Sequence, residues 1–162
     1  MSALKKTAFG QEKFSSDSVR TFEAGDIIFR EGEDSREMFV VLEGQIEIVK
    51  ISPRGSDVKL ATLSRGEFLG EMSLLESLPR SATARAVNKV KLLAIHPGGF
   101  LLKIRRDPTF AFEIMQTLSR RIRVNNETLM NAMSRGENPE SIRKIIQGAE
   151  FENHSGGEGT EL

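Results

Sequence analysis

The sequence predicts a mainly β fold with added α-helices, in which the strands form an antiparallel β-roll of the jelly-roll kind. From Val19 onward, short apolar stretches alternate with turn residues, and seven or eight such stretches follow one another at regular spacing. This spacing is typical of antiparallel sandwiches and rolls. The chain also contains 14 glycines, which excludes a glycine-poor helical domain. A long helical pattern towards the C-terminus supplies the α component.

Composition narrows the functional classes. With 162 residues the chain suits one domain plus appendages. Its 23 Lys and Arg residues balance its 23 Asp and Glu residues, so no overall charge attracts nucleic acid or a membrane. The lack of cysteine excludes thiolate zinc sites and a cysteine nucleophile, and two histidines are too few for a histidine-rich metal site. We find no signal peptide and no apolar run of about 20 residues, so we expect a cytoplasmic protein.

The first 100 residues supply the predicted strands. Residues 1–17 lack periodicity and are interpreted as an N-terminal lead, whereas residues 19–34 predict strand, turn, strand and turn. The strongest strand pattern covers residues 38–51, where Gly44 predicts a bend or bulge. A hairpin loop at 52–57, a return strand at 58–63 and two further strands at 83–87 and 90–95 complete the set.

Two helices are predicted after the strands. Residues 97–106 have apolar side chains at helical spacing, and Asp107 followed by Pro108 forms an N-cap for a longer helix that ends before Gly136. A heptad seam runs along this helix and comprises Met115, Leu118, Ile122, Asn125, Leu129 and Ala132. The seam packs either on the protein's own roll or on a second subunit, and we favour a homodimer through residues 108–135.

The C-terminal residues predict a short helix and a tail. After Asn138, Ile142, Ile145 and Ile146 share one face of an amphipathic helix, and from Glu152 the polar, glycine-rich sequence is typical of disorder. The predicted boundaries are therefore 1–17 for the lead, 18–135 for the main domain with its long helix, and 136–162 for the short helix and tail.

An acid and a base stand close together between the two halves of the strand pattern. Glu71 follows a glycine, Arg80 follows a proline, and small residues follow Arg80. The planar fork of arginine matches phosphate oxygens, and a carboxylate accepts hydrogen bonds from sugar hydroxyls. Together these residues predict a site for a sugar phosphate or a nucleotide. The alternative is that Glu71 and Arg80 merely pair with each other, which contributes about 0–1 kcal/mol at a surface.

The sequence Gly70-Glu71-Met72-Ser73-Leu74-Leu75, followed after three residues by Pro79-Arg80-Ser81-Ala82-Thr83, resembles the phosphate-binding cassette of cyclic nucleotide-binding domains. The resemblance extends from about Arg20 to Met133. It implies that Glu71 and the Gly70 backbone hold the ribose 2′-hydroxyl, and that Arg80 pairs with the cyclic phosphate with help from Ser81. The ligand-binding residues that it implies are Gly70, Glu71, Met72, Arg80, Ser81, Ala82 and Thr83.

The purine base has its own candidate contacts. Ile48 and Leu60 occupy strand positions that face inward in this interpretation. Asn125 and Asn126 fall where the long helix of the family supplies polar side chains to the purine edge, although Asn125 alternatively only sets helix register while Asn126 is solvated. The resemblance favours cyclic AMP, and cyclic GMP remains possible because Ser81 suits either ligand.

The function that follows is a regulatory module and not an enzyme. The ligand would change the position of the C-terminal helices and signal to an effector protein that the sequence does not identify. We expect no metal, no other cofactor, no DNA and no membrane as partners. The alternative is a dimerisation or scaffold module of the same fold that works without nucleotide.

Overall fold

The computed structural model describes residues 19–51, 55–136 and 138. Several predicted segments lie outside the described residues. They are the N-terminal lead, residues 52–54 of the 52–57 loop, the short helix after Asn138 and the tail. The described residues form two compact units, and the boundary between them lies within the long helix, between Arg120 and Arg121. The first comprises residues 19–51 and 55–120, and the second comprises residues 121–136 and 138.

The described residues form eight strands and three helices. The strands are β1 Val19–Phe22, β2 Ile27–Phe29, β3 Met38–Glu43, β4 Ile46–Ile51, β5 Asp57–Leu63, β6 Phe68–Leu69, β7 Thr83–Ala86 and β8 Val90–Ile95. The helices are α1 Glu71–Glu76, α2 Pro97–Arg106 and α3 Pro108–Ser134.

The strands form two antiparallel sheets of four strands each. Their orders are β1-β8-β3-β6 and β2-β7-β4-β5, so the chain passes repeatedly from one sheet to the other. This arrangement confirms the predicted β-roll. The two-residue strand β6 was not predicted, because a pattern of period two cannot be recognised over two residues.

Strands β3 and β8 are buried on both faces, which explains their continuous apolar sequences. Phe39 and Val41 face a core between the sheets, here called the roll core, whereas Met38 and Val40 face a second core under the helices. The alternation follows from the strand geometry, in which successive side chains point to opposite faces. The roll core consists of Phe29, Phe39, Val41, Ile46, Leu63, Leu69, Ala84, Ala86, Val90, Leu92 and Ala94.

Gly44 marks the corner where the chain leaves one sheet for the other. Its φ of 88° lies in the left-handed region, and a Cβ at this position would collide with the backbone carbonyl of Lys89. The predicted break in the 38–51 pattern is therefore a change of sheet. The pairing of β4 with β5 shifts register between Ile48 and Val49, where Leu60 on β5 is the extra residue.

The first part of α3 packs on the sheet through one side only. Asp107 accepts a hydrogen bond from the Thr109 backbone N–H at 3.0 Å, which confirms the predicted N-cap. Phe110 and Ile114 are buried in the second core, whereas Phe112 on the same helix is 57 % exposed. No helix in the described ranges is both long and apolar enough to cross a membrane.

The predicted heptad seam of α3 divides between buried and exposed positions. Leu118 packs against the second core, as expected for a stripe that contacts its own domain. Met115 is exposed in the first unit, and Ile122 is exposed in the second. Three further seam residues, Asn125, Leu129 and Ala132, are half-buried. The seam thus combines one contact to the protein's own core with apolar side chains that face solvent.

Candidate functional site

The candidate site is built around α1, a helix of only six residues. It follows Gly70, whose φ of 79° is left-handed, and it stops at Ser77, which is also left-handed at φ 59°. A Cβ at residue 70 would collide with Nη1 of Arg80 and lie 2.9 Å from the carbonyl oxygen of Glu37. Glycine is therefore required at this position by both its backbone conformation and the close approach of Arg80.

The backbone of Arg80 is fixed by the segment that joins β2 to β3, residues 30–37. The N–H of Arg80 donates to the Glu33 carbonyl at 3.0 Å, and its own carbonyl accepts from the Gly32 N–H at 2.8 Å. Three residues after Arg80, the Thr83 hydroxyl accepts a hydrogen bond from the Glu31 N–H at 2.9 Å. These bonds extend the β2–β7 pairing beyond the strands and place the start of the Arg80 side chain.

The side chain of Arg80 is only 3 % exposed and donates to three acceptors. Nη1 donates to the Gly70 carbonyl at 3.1 Å, while Nη2 donates to the Ser35 hydroxyl at 3.0 Å and to the Glu37 carbonyl at 2.6 Å. Two of these acceptors are backbone carbonyls and the third is a hydroxyl, so none carries a charge. The guanidinium is oriented by dipoles and not by a directly bonded anion.

An aromatic ring completes the surroundings of the guanidinium. Its central carbon lies 4.2 Å from the centroid of the Phe29 ring and 5.9 Å from that of Phe39, within the range of a cation–π interaction. Burial lowers the pKa of Arg80, and the negative charges of Glu33, Glu37 and Glu71 partly offset this effect. Arginine remains charged at any physiological pH despite such a shift.

The Nε atom of Arg80 is an unused donor. It is fully buried and has no hydrogen-bond partner. A buried donor without an acceptor costs about 1–3 kcal/mol, and more when the group is charged. The site therefore presents a buried positive charge with an available N–H, which favours an anion with an oxygen acceptor at this point.

The remaining cassette residues are buried to different degrees. Glu71 and Ser73 on α1 are each 2 % exposed. Ala82, which directly precedes β7, is also buried. Met72, Ser81 and Thr83 are half-buried. Glu71 and Arg80 are thus both interior groups, and the charge of Glu71 acts on Arg80.

The candidate base contacts are spread over two strands and α3. Ile48 is half-buried against the roll core, as its inward position predicted, and Leu60 is half-buried on β5. Asn125 and Asn126 belong to the second unit, where Asn125 is half-buried and Asn126 is exposed.

Sequence reasoning missed three residues that shape the site. Phe29, Ser35 and Glu37 contact Arg80, although they precede it by more than 40 residues. Ser35 and the carbonyl of Glu37 lie in a polar segment that reads as an ordinary turn. The run of turn residues from Glu31 to Asp34 was the available signal, because it marks a loop next to the strand that pairs with β7.

Comparison with known proteins identifies the family. The family model described as the cyclic nucleotide-binding domain matches residues 19–107, more than half of the chain. The chain belongs to the cyclic nucleotide-binding domain family. The matched range contains the whole cassette, so the buried Arg80 and Glu71 of this cyclic nucleotide-binding domain lie within the part that defines the family.

The relatives include receptors and channels. The chain is 36 % identical over 104 residues to the cyclic AMP receptor protein of Thermus thermophilus, covering 64 % of this chain and 48 % of the relative. It is 37 % identical over 93 residues to a cyclic nucleotide-gated potassium channel of Mesorhizobium japonicum, covering 57 % of this chain and 24 % of the channel. The chain therefore spans between a quarter and a half of these curated relatives.

Solved structures agree with the fold. The crystal structure of the Thermus thermophilus catabolite activator protein superposes with a TM-score of 0.65 at 34 % sequence identity, covering 72 % of this chain and 54 % of that one.

Within the described residues of the present domain, no group of three or more histidine, cysteine or acidic side chains is placed to hold a metal ion.

Proposed function

We propose that the domain binds a 3′,5′-cyclic nucleotide, with cyclic AMP favoured over cyclic GMP, as a non-catalytic regulatory module. The observation that carries this proposal is the buried guanidinium of Arg80, which is oriented by uncharged acceptors and retains an unused Nε donor. A cyclic phosphate is compact, singly charged and rich in acceptor oxygens, and it fits a single buried arginine better than a more highly charged phosphomonoester does. The cyclic AMP receptor among the relatives supports the choice of base.

In this proposal each cassette residue has a role. Arg80 and Ser81 hold the cyclic phosphate, and Glu71 with the Gly70 backbone accepts the ribose 2′-hydroxyl. Met72, Ala82 and Thr83 line the site around these groups. Ile48 and Leu60 contact the base.

Replacing Arg80 tests the phosphate assignment. We expect Arg80→Lys to weaken binding of cyclic AMP at least tenfold, because an ammonium keeps the charge but cannot occupy the three acceptors and present an N–H at the position of Nε. Arg80→Ala should weaken binding further, since each charge-assisted hydrogen bond contributes about 1.5–3 kcal/mol. Calorimetric titration with cyclic AMP, cyclic GMP and 5′-AMP measures these affinities.

The matched control for this series is Arg85→Lys, which changes an arginine five residues further on that pairs with Glu47 at 2.6 Å. It should bind like the unchanged protein. Absence of binding by the unchanged protein to either cyclic nucleotide would overturn the proposal and leave the dimerisation or scaffold module as the interpretation.

Replacing Glu71 tests the ribose assignment. We expect Glu71→Gln to weaken binding of cyclic AMP about tenfold, since an amide accepts a hydroxyl hydrogen bond less strongly than a carboxylate. Binding of 2′-deoxy cyclic AMP should change little in the same variant, because that ligand lacks the hydroxyl. Titration of both ligands gives the answer, and equal losses for the two would exclude contact with the 2′-hydroxyl.

We further propose that bound ligand changes the position of the C-terminal helices and that this change is passed to an effector protein. A ligand shifts such an equilibrium only by its difference in affinity for the two states. Amide hydrogen exchange along α3 should therefore slow when cyclic AMP is added and stay unchanged when Arg80→Lys is treated in the same way. Identical exchange with and without bound ligand would exclude the helix response.

The exposed apolar side chains of α3 support a homodimer through residues 108–135. Met115 and Ile122 are seven residues apart, as heptad positions on one face require, and both are exposed. We expect sedimentation equilibrium to give a dimer for the unchanged protein and a monomer for Met115→Glu/Ile122→Glu. The control Gln116→Glu, at an exposed polar position of the same helix, should stay dimeric. A monomeric unchanged protein would contradict the dimer.

A further inference from the structure

Three charged or titratable side chains meet beside the candidate site without belonging to the cassette. Arg20 on β1 donates two hydrogen bonds to the carboxylate of Glu37, from Nη2 to Oε1 at 2.6 Å and from Nη1 to Oε2 at 2.8 Å. His96, between β8 and α2, places Nε2 at 3.2 Å from the same Oε1. We call Arg20, Glu37 and His96 the Glu37 cluster.

The Glu37 cluster is joined to Arg80 at two points. The backbone carbonyl of Glu37 accepts the 2.6 Å hydrogen bond from Nη2 of Arg80, so the residue that orients the guanidinium also carries the carboxylate. The guanidiniums of Arg20 and Arg80 both lie near the ring of Phe39, at 5.7 and 5.9 Å from its centroid. Arg20 also pairs in register with Leu92 of the roll core, which places it on the inner face of its sheet.

Glu37, whose carbonyl binds Arg80, also carries a carboxylate that can compete with an anionic ligand for the guanidinium. Glu37 acts on Arg80 through its charge, and an acid that turned towards the unused Nε would neutralise the positive charge on which phosphate binding depends. The bidentate bond with Arg20 holds the carboxylate elsewhere and cancels its charge. The side chain of Glu37 is only 17 % exposed, so this pairing is partly protected from solvent screening.

We propose that Arg20 is a positioning residue that keeps the carboxylate of Glu37 away from Arg80 and so sets the affinity for the cyclic phosphate. The proposal rests on the proposed function, and it concerns residues that do not themselves touch the ligand. The direction of the effect on affinity is fixed, because loss of Arg20 removes a positive charge and also frees the competing negative charge of Glu37. Both effects weaken the binding of an anion.

The double-variant cycle of Arg20 and Glu37 separates this role from a merely structural one. Arg20→Gln should weaken cyclic AMP binding about fivefold, the upper part of the range for partly exposed ion pairs. Arg20→Gln/Glu37→Gln should recover to within about twofold of the unchanged protein, because the competing carboxylate is gone while the Glu37 carbonyl remains. Lys91→Gln, which removes the partner of exposed Glu43 elsewhere on the sheet, is the control and should bind normally.

The outcomes are distinguishable from those of the proposed function. If the unchanged protein binds neither cyclic nucleotide, the proposed function fails and takes this inference with it. If it binds, but Arg20→Gln binds equally well or the double variant is as weak as Arg20→Gln, the positioning role is overturned.

Discussion

The structure depends on the burial of one positive charge, the guanidinium of Arg80. Removing an ion from water costs several kcal/mol, and this cost is met only when hydrogen bonds and opposite charge replace the lost hydration. Here the domain supplies two carbonyls, one hydroxyl and an aromatic ring, and it leaves Nε without an acceptor. The protein thus orients the cation fully and solvates it incompletely, which is the condition under which an added anion has most to contribute.

This constraint links the two sheets. Arg80 leads into β7 of one sheet, whereas Gly70 follows β6 of the other, and the 30–37 segment crosses from β2 in the first sheet to β3 in the second. The acceptors of Arg80 come from Gly70 and from that crossing segment. Hydrogen bonds of 2.6–3.1 Å from one guanidinium therefore join segments that belong to both sheets.

The fold was largely predictable because its signals are local. Period-two patterns and turn residues located seven of the eight strands in the described residues, and the bend or bulge predicted at Gly44 is a corner at positive φ. The interior of the site was not predictable in the same way. Glu71 and Arg80 stand out by their spacing, but Ser35 acts through a hydroxyl and Glu37 through a backbone carbonyl, and neither contact leaves a pattern in the sequence. Likewise, the heptad seam of α3 gave its periodicity correctly but not which residues pack inward, because Leu118 contacts a core formed by distant strands.

Under the proposed function, the affinity for a ligand depends on the acids around Arg80 as well as on Arg80 itself. Glu33, Glu37 and Glu71 all act on the guanidinium through their negative charges. Under the proposed function, each of these charges also opposes the binding of a phosphate. Glu33 accepts a hydrogen bond from the Arg30 N–H at 3.0 Å, and Glu37 is held by Arg20. Under the proposed function, residues outside the cassette therefore contribute to how much of the charge of Arg80 is available to a ligand.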